Sequence, residues 1–174
     1  MLSESPEALF KTWLHQYGGT VLKVARAYTL TAEECEDLAQ EILLQLWRSL
    51  PQFEGRASAC TWVYRVALNT ALGWHRREGR RRARQRPLLE PEELPVAALD
   101  SAEQLHQREV VEHLYAAIRH LPKADAALVL LYLDDLRYRE IAEVLGISEG
   151  NVGVKLNRAR KALGELMKEV VHEY

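Results

Sequence analysis

The sequence predicts an all-α protein: two small helical domains joined by a flexible acidic linker. Three observations carry that prediction. Apolar residues recur at helical spacing along nearly the whole chain, while β-branched residues occur singly and never alternate over a useful length. Helix-start and helix-stop residues punctuate these runs. Between them lies "PLLEPEELP", Pro87 to Pro95, whose three prolines and three glutamates cannot form regular helix and read as an extended linker. At 174 residues and 48% hydrophobic, the chain has material for one medium domain or two small cores. The reading divides it into residues 1–86, a linker at 87–104, and residues 105–174.

The elements follow in order. Ser5 then Pro6 is a helix start, with proline at the position where its missing N–H costs nothing. A run to about Tyr28 follows, in which Gly18 and Gly19 predict a bend or break. Thr31 and Glu34 form a capping box, each expected to satisfy the other's orphan amide. The helix they open runs to about Leu50, where Pro51 stops it. Leu38, Ile42, Leu46 and Ser49 line one face, and Ala39, Leu43, Trp47 and Leu50 widen the apolar stripe enough to pack on the core and on another protein. Gln52 to Ala59 is a loop centred on Gly55, followed by a long helix from about Cys60 into the arginines. Beyond the linker, Ser101 and Gln104 make a second capping box, and Pro122 resets the chain before the apolar helix "ADAALVLLYL".

The C-terminal segment "RYREIAEVLGISEGNVGVKLNRARKAL" has the form of a helix-turn-helix. Tyr138 to Leu145 supplies the first helix, with Ile141, Ala142 and Leu145 facing inward. Gly146 can adopt the left-handed conformation that ends a helix, Ile147 plugs the turn, and Ser148 caps the second helix. Val152 and Leu156 continue the inner face. Gly150, Asn151, Val154, Lys155, Asn157 and Arg158 are left on the exposed side, where some can enter a major groove.

Charge is distributed unevenly. The chain carries a formal −2, yet residues 57–86 sum to +7, from eight arginines against Glu78, and residues 87–104 sum to −5. Local basic islands can engage phosphates on an acidic chain, because screening limits exposed charges to about 8 Å. In the helix from residue 60, Val63, Val66, Ala67, Thr70 and Trp74 form a predicted core stripe. Trp62, Arg65, Asn69 and Arg76 lie along another face. That combination suits DNA phosphates and an unstacked base. Trp62 has a second reading, packing against the preceding loop. Seven arginines within residues 76–86 point to phosphate more than to a solvated helix end.

These residues carry a family resemblance. "EDLAQEILLQLWRSLPQFEGRASACTWVYRVALNTAL" resembles region 2 of bacterial extracytoplasmic-function sigma factors, and "LPKADAALVLLYLDDLRYREIAEVLGISEGNVGVKLNRARKAL" resembles region 4, in the expected order. The resemblance implies a chain that binds core RNA polymerase and directs it to promoters. It implies that Asp37, Gln40, Glu41, Leu44 and Trp47 dock on the polymerase clamp. The loop residues Phe53, Gly55, Arg56 and Ser58 would capture a flipped base of the −10 element. Trp62, Arg65 and Asn69 would support that loop, and Arg76, Arg77, Arg80 and Arg81 would grip phosphates. Asn151, Val154, Lys155, Asn157 and Arg158 would read the −35 element. The acidic linker would thread through the polymerase. The chain departs from the family pattern at Ala59 and Cys60, where an aromatic is usual, at Ala126, where "LPxxxR" loses its arginine, and at Gly153, often Lys or Arg.

The resemblance also implies an anti-sigma partner, often membrane-tethered in this family. An alternative is a stand-alone helix-turn-helix regulator. Such a protein would carry a ligand-binding or dimerising domain in place of the clamp-helix and loop pattern. No HExxH, phosphate-binding glycine loop or carboxylate cluster with metal spacing is present, so no enzyme, cofactor or metal is expected. His106, His113 and His120 stand two helical turns apart, about 10.5 Å, too far to share an ion. Cys35 and Cys60, without a CxxC, suit a reducing compartment. No secretory signal and no run of about 18 apolar residues is seen, so a cytoplasmic location without membrane insertion is expected.

Overall fold

The computed structural model describes residues 5–84 and 102–172; Arg86, the Ser101 cap and the acidic linker as far as residue 101 lie outside them, while residues 102–104, expected in the linker, begin a helix. Regular structure among the described residues is helical throughout. The chain divides into two compact units, Met1–Pro91 and Glu92–Tyr174.

In the first unit, α1 (Pro6–Tyr28), α2 (Ala32–Ser49) and α3 (Ala59–Arg84) pack against one another, with a 3₁₀ turn at Leu50–Gln52 after α2. Ser5 caps α1, its Oγ accepting the Ala8 amide at 3.2 Å. The expected break at Gly18-Gly19 is absent, and α1 runs through both. Two glycines cost about 2 kcal/mol of helix propensity. Trp13 on one side, and Val21, Val24, Ala25 and Tyr28 on the other, are buried and hold both halves in one helix. The Thr31 cap forms as expected, Oγ1 accepting the Glu34 amide at 3.2 Å. Its reciprocal is shared between the Thr31 amide and the one before it. Glu34 Oε2 accepts the amide of Leu30, one residue before the cap, at 2.9 Å. Pro51 lacks an amide to continue α2, and the chain tightens into the 3₁₀ turn instead.

The core face of α3 is rotated from the predicted stripe. Val63 and Ala67 are buried as expected, but Tyr64, Leu68 and Ala71 join them, while Val66, Thr70 and Trp74 are half-buried. Two overlapping apolar stripes run along this helix, and packing on α1 and α2 buries the one carrying Tyr64, Leu68 and Ala71. Gly55, in the loop before α3, has φ +70°, the left-handed conformation that favours glycine.

The second unit comprises α4 (Ala102–His120), α5 (Lys123–Leu133), α6 (Tyr138–Leu145) and α7 (Glu149–His172), with α7 packing on the other three. Helix α5 is buried on nearly every side from Ala126 to Leu131, and forms the centre of the unit. Its turn into α6 places Asp135 at φ +57°, a conformation Asp tolerates better than most residues. Ile141 and Ala142 face inward as predicted, but the third buried residue of α6 is Val144, with Leu145 only half-buried. Gly146 adopts φ +67°, and the amides of Gly146 and Ile147 both reach the Ala142 carbonyl. Ser148 Oγ accepts the Asn151 amide at 3.3 Å and starts α7.

Candidate nucleic-acid and protein interfaces

On α2, Asp37, Gln40, Leu44 and Trp47 share one exposed face, as their spacing of three, four and three residues requires. Leu44 and Trp47 are 45% and 40% exposed. Trp47 is held edge-on by Phe10 of α1, with ring centres 5.3 Å apart, so the aromatic is fixed as well as displayed. Glu41, the fifth residue expected on this surface, lies at its edge and turns toward α3. There Arg77 Nη2 donates to Glu41 Oε1 at 2.7 Å and Oε2 at 2.8 Å.

The loop residues expected to capture a base separate into two groups. Phe53 is wedged between aromatics, 4.8 Å from the ring of Trp13 and 5.5 Å from that of Trp62, edge-on to both. Ser58 caps α3, its Oγ accepting the Thr61 amide at 3.1 Å and donating to Thr61 Oγ1 at 2.9 Å. Gly55 and Arg56 are exposed at the tip, where Arg56 pairs with Glu54. Trp62 takes the packing role. Its Nε1 donates to Ser49 Oγ at 3.0 Å and its ring closes the Phe53 wedge, so Trp62 anchors the loop to α2. Ser49 was missed as a site residue. Its only sequence signal was a small polar residue on an otherwise apolar stripe.

Behind the loop, α2 and α3 border a shallow groove of about 380 Å³. Gln45 and Ser49 line one wall, and Asn69, Thr70 and Arg77 the other. Asn69 is exposed at its rim and Arg65 is half-buried beside the loop. The described arginines of the run are all exposed, but they are not uniformly free of carboxylates. Arg77 reaches Glu41, Arg82 reaches Glu34, and Arg81 lies 3.5 Å from Glu78. Arg76, Arg80 and Arg84 are exposed along the same helix, as are the three that face carboxylates. Among the four arginines expected to grip phosphates, therefore, Arg77 and Arg81 already face carboxylates. Partial burial pushes the Glu34 carboxyl up, but the Leu30 and Thr31 amides and Arg82 outweigh it and hold the group below its ordinary value.

In the second unit, Asn151, Val154, Lys155, Asn157 and Arg158 all lie on the exposed side of α7, opposite the buried Val152, Leu156 and Ala159. Gly153 is half-buried next to α6, where a methyl group would stand 3.5 Å from the Tyr138 ring. Tyr138 itself is 44% exposed between Arg137 and Arg139. Glu140, which would oppose phosphate, accepts the Arg137 amide at 2.7 Å and is turned to the start of α6.

Known proteins resemble this chain in sequence and fold. Residues 13–81 match the family model for sigma-70 region 2, and residues 112–163 match that for sigma-70 region 4. The RNA polymerase sigma factor YlaC of Bacillus subtilis is 32% identical over 87% of this chain and 88% of its own. The RNA polymerase sigma-H factor of Pseudomonas aeruginosa is 28% identical over 91% and 86%, respectively. Among solved structures, the sigma factor RpoE in complex with the anti-sigma factor NepR from Bartonella quintana superposes with a TM-score of 0.71 at 21% identity, over 91% of this chain and 96% of that one. CnrH in complex with the cytosolic domain of CnrY gives 0.64 at 19%, over 92% and 88%. Two regions matched in order and a relative alike over most of both lengths lead to one conclusion: the chain belongs to the extracytoplasmic-function group of the sigma-70 family of RNA polymerase sigma factors.

Proposed function

We propose that this chain binds core RNA polymerase through the exposed face of α2 and carries it to promoters read by its two units. The carrying observation is that one chain displays a fixed aromatic-apolar face on α2 and an exposed polar face on the recognition helix α7. Gly55 and Arg56 at the loop tip, with Asn69 and the exposed Arg76 and Arg80, are the −10 contacts in this reading. Phe53, Ser58 and Trp62 act through them by holding the loop. Asn151, Val154, Lys155, Asn157 and Arg158 contact the −35 element, with Gly153 leaving one customary contact unfilled. The domains run as residues 1–86, 87–104 and 105–174.

The polymerase performs the chemistry, and this chain contributes binding and strand separation. It works in the cytoplasm, where polymerase and DNA are; no helix among the described residues is long and apolar enough to cross a membrane. An anti-sigma protein covering Leu44 and Trp47 would block core binding directly, because these apolar side chains are exposed until a partner buries them. The test adds the purified chain to core polymerase and a promoter library made from its source genome, then maps transcript starts. Binding to core and a shared upstream motif are expected. A chain that binds DNA alone and never binds core would overturn the proposal in favour of a stand-alone regulator.

A further inference from the structure

We propose that Glu41 is a positioning residue that holds Arg77 away from promoter DNA until polymerase engages α2. The inference rests on the function proposed above, which places Arg77 beside the DNA-binding face and Glu41 on the polymerase-binding helix. The two side chains belong to different helices and different expected surfaces, yet they meet. A single guanidinium nitrogen, Nη2, donates to both Glu41 oxygens, at 2.7 and 2.8 Å. To reach them the arginine lies across Gly73, one turn back on α3, where a methyl group would stand 3.6 Å from Nη1. Its guanidinium carbon is 6.0 Å from the centre of the Trp74 ring. Arg77 is thus turned sideways toward α2 and held to a carboxylate there, although, like Arg76 and Arg80, it remains exposed to solvent.

This geometry has an electrostatic consequence. A phosphate approaching Arg77 meets the Glu41 carboxylate already in contact with the same cation, and the two anions repel at short range. The contact is also easily exchanged. The Arg77 side chain is 55% exposed and that of Glu41 27%, and exposed pairs of this kind bias an equilibrium by no more than about fivefold. Glu41 borders the α2 face formed by Asp37, Gln40 and Leu44. A cation supplied there by polymerase takes the carboxylate and releases Arg77, so that binding at one surface raises affinity at the other. Coupling of this kind is reciprocal.

The experiment measures binding of fluorescein-labelled, mixed-sequence single-stranded DNA to the full chain without polymerase, between about 50 and about 200 mM salt. Native chain, Glu41→Gln, Arg77→Ala and the double variant are compared. Glu41→Gln is expected to bind roughly two- to fivefold more tightly, with a salt slope steeper by about 0.7, the value for one added phosphate contact on a single strand. In the Arg77→Ala background the same substitution is expected to change nothing. A merely structural Glu41 would instead lower thermal stability and weaken DNA binding. Unchanged affinity in Glu41→Gln, or an equal gain with and without Arg77, overturns the inference while leaving the proposed function standing. Native chain that fails to bind core polymerase overturns that function, and the inference with it.

Discussion

Glu34 joins two helices with one carboxylate. Oε2 accepts the Leu30 amide at 2.9 Å ahead of α2, and Oε1 faces Arg82 at the far end of α3. Burial alone would raise its pKa, but the two backbone amides and the guanidinium favour the charged form more strongly. A carboxyl whose folded pKa is depressed contributes stability above its unfolded pKa, and that contribution is lost as pH falls through the folded value. Glu34→Gln, which keeps an oxygen for the Leu30 amide but loses the charge facing Arg82, is therefore expected to destabilise the first unit by about 0.5–1 kcal/mol at pH 7, the scale of a partly exposed ion pair. The difference should shrink as pH falls below the ordinary value of 4.5. Denaturant unfolding of native and variant chains at a series of pH values checks this. A difference that stays constant into acid would mean that shape, not charge, accounts for the effect of Glu34.

Helix α1 poses the problem of two adjacent glycines in a continuous helix. Nothing lies within 4 Å of a methyl group placed at Gly18 or Gly19, so neither glycine is required by a close approach, and neither has the left-handed φ that would demand one. Alanine at either position removes conformational freedom from the unfolded chain without strain in the folded one. Each replacement is expected to stabilise the protein by about 0.5–1 kcal/mol, read as a higher unfolding midpoint. A lower midpoint would show that the helix needs to flex there. The helix ends were legible in the sequence because their causes are local: Ser5 before Pro6, Thr31, Pro51, Gly146 and Ser148 each act within four residues. The buried face of α3 was not, because two apolar stripes compete there and only the packing of α1 and α2 decides between them. The partners of Arg77 and Arg82 were hidden for the same reason, lying 36 and 48 residues away in the chain. The exposed −35 candidates on α7 are easier to read, since Val152 and Leu156 orient that helix from within its own motif.

At the scale of the molecule, division into two units sets what a mutation can reach. The first unit is built on Leu38, Ile42 and Val63, the second on Ile118, Leu131, Ile141 and Leu156, and each set is fully or almost fully buried. Separate cores imply separate cooperative units, as hydrogen exchange detects when parts of a protein open independently. Ile141→Ala leaves a cavity where α6 meets its neighbours, and is expected to cost about 2–5 kcal/mol. That loss should fall on the second unit alone. Native-state hydrogen exchange on the full chain is expected to show weaker protection at Leu131, Ile141 and Leu156, with Leu38, Ile42 and Val63 unchanged. Function should divide along the same line. In the proposed reading α7 contacts the −35 element, and its orientation depends on the buried Val152 and Leu156, so double-stranded −35 binding should fall with the second unit. Core binding through α2 and single-stranded DNA binding through the first unit should persist. Joint loss of protection in both units would show that the chain unfolds as one block, and independent reading of the two promoter elements would lose its physical basis.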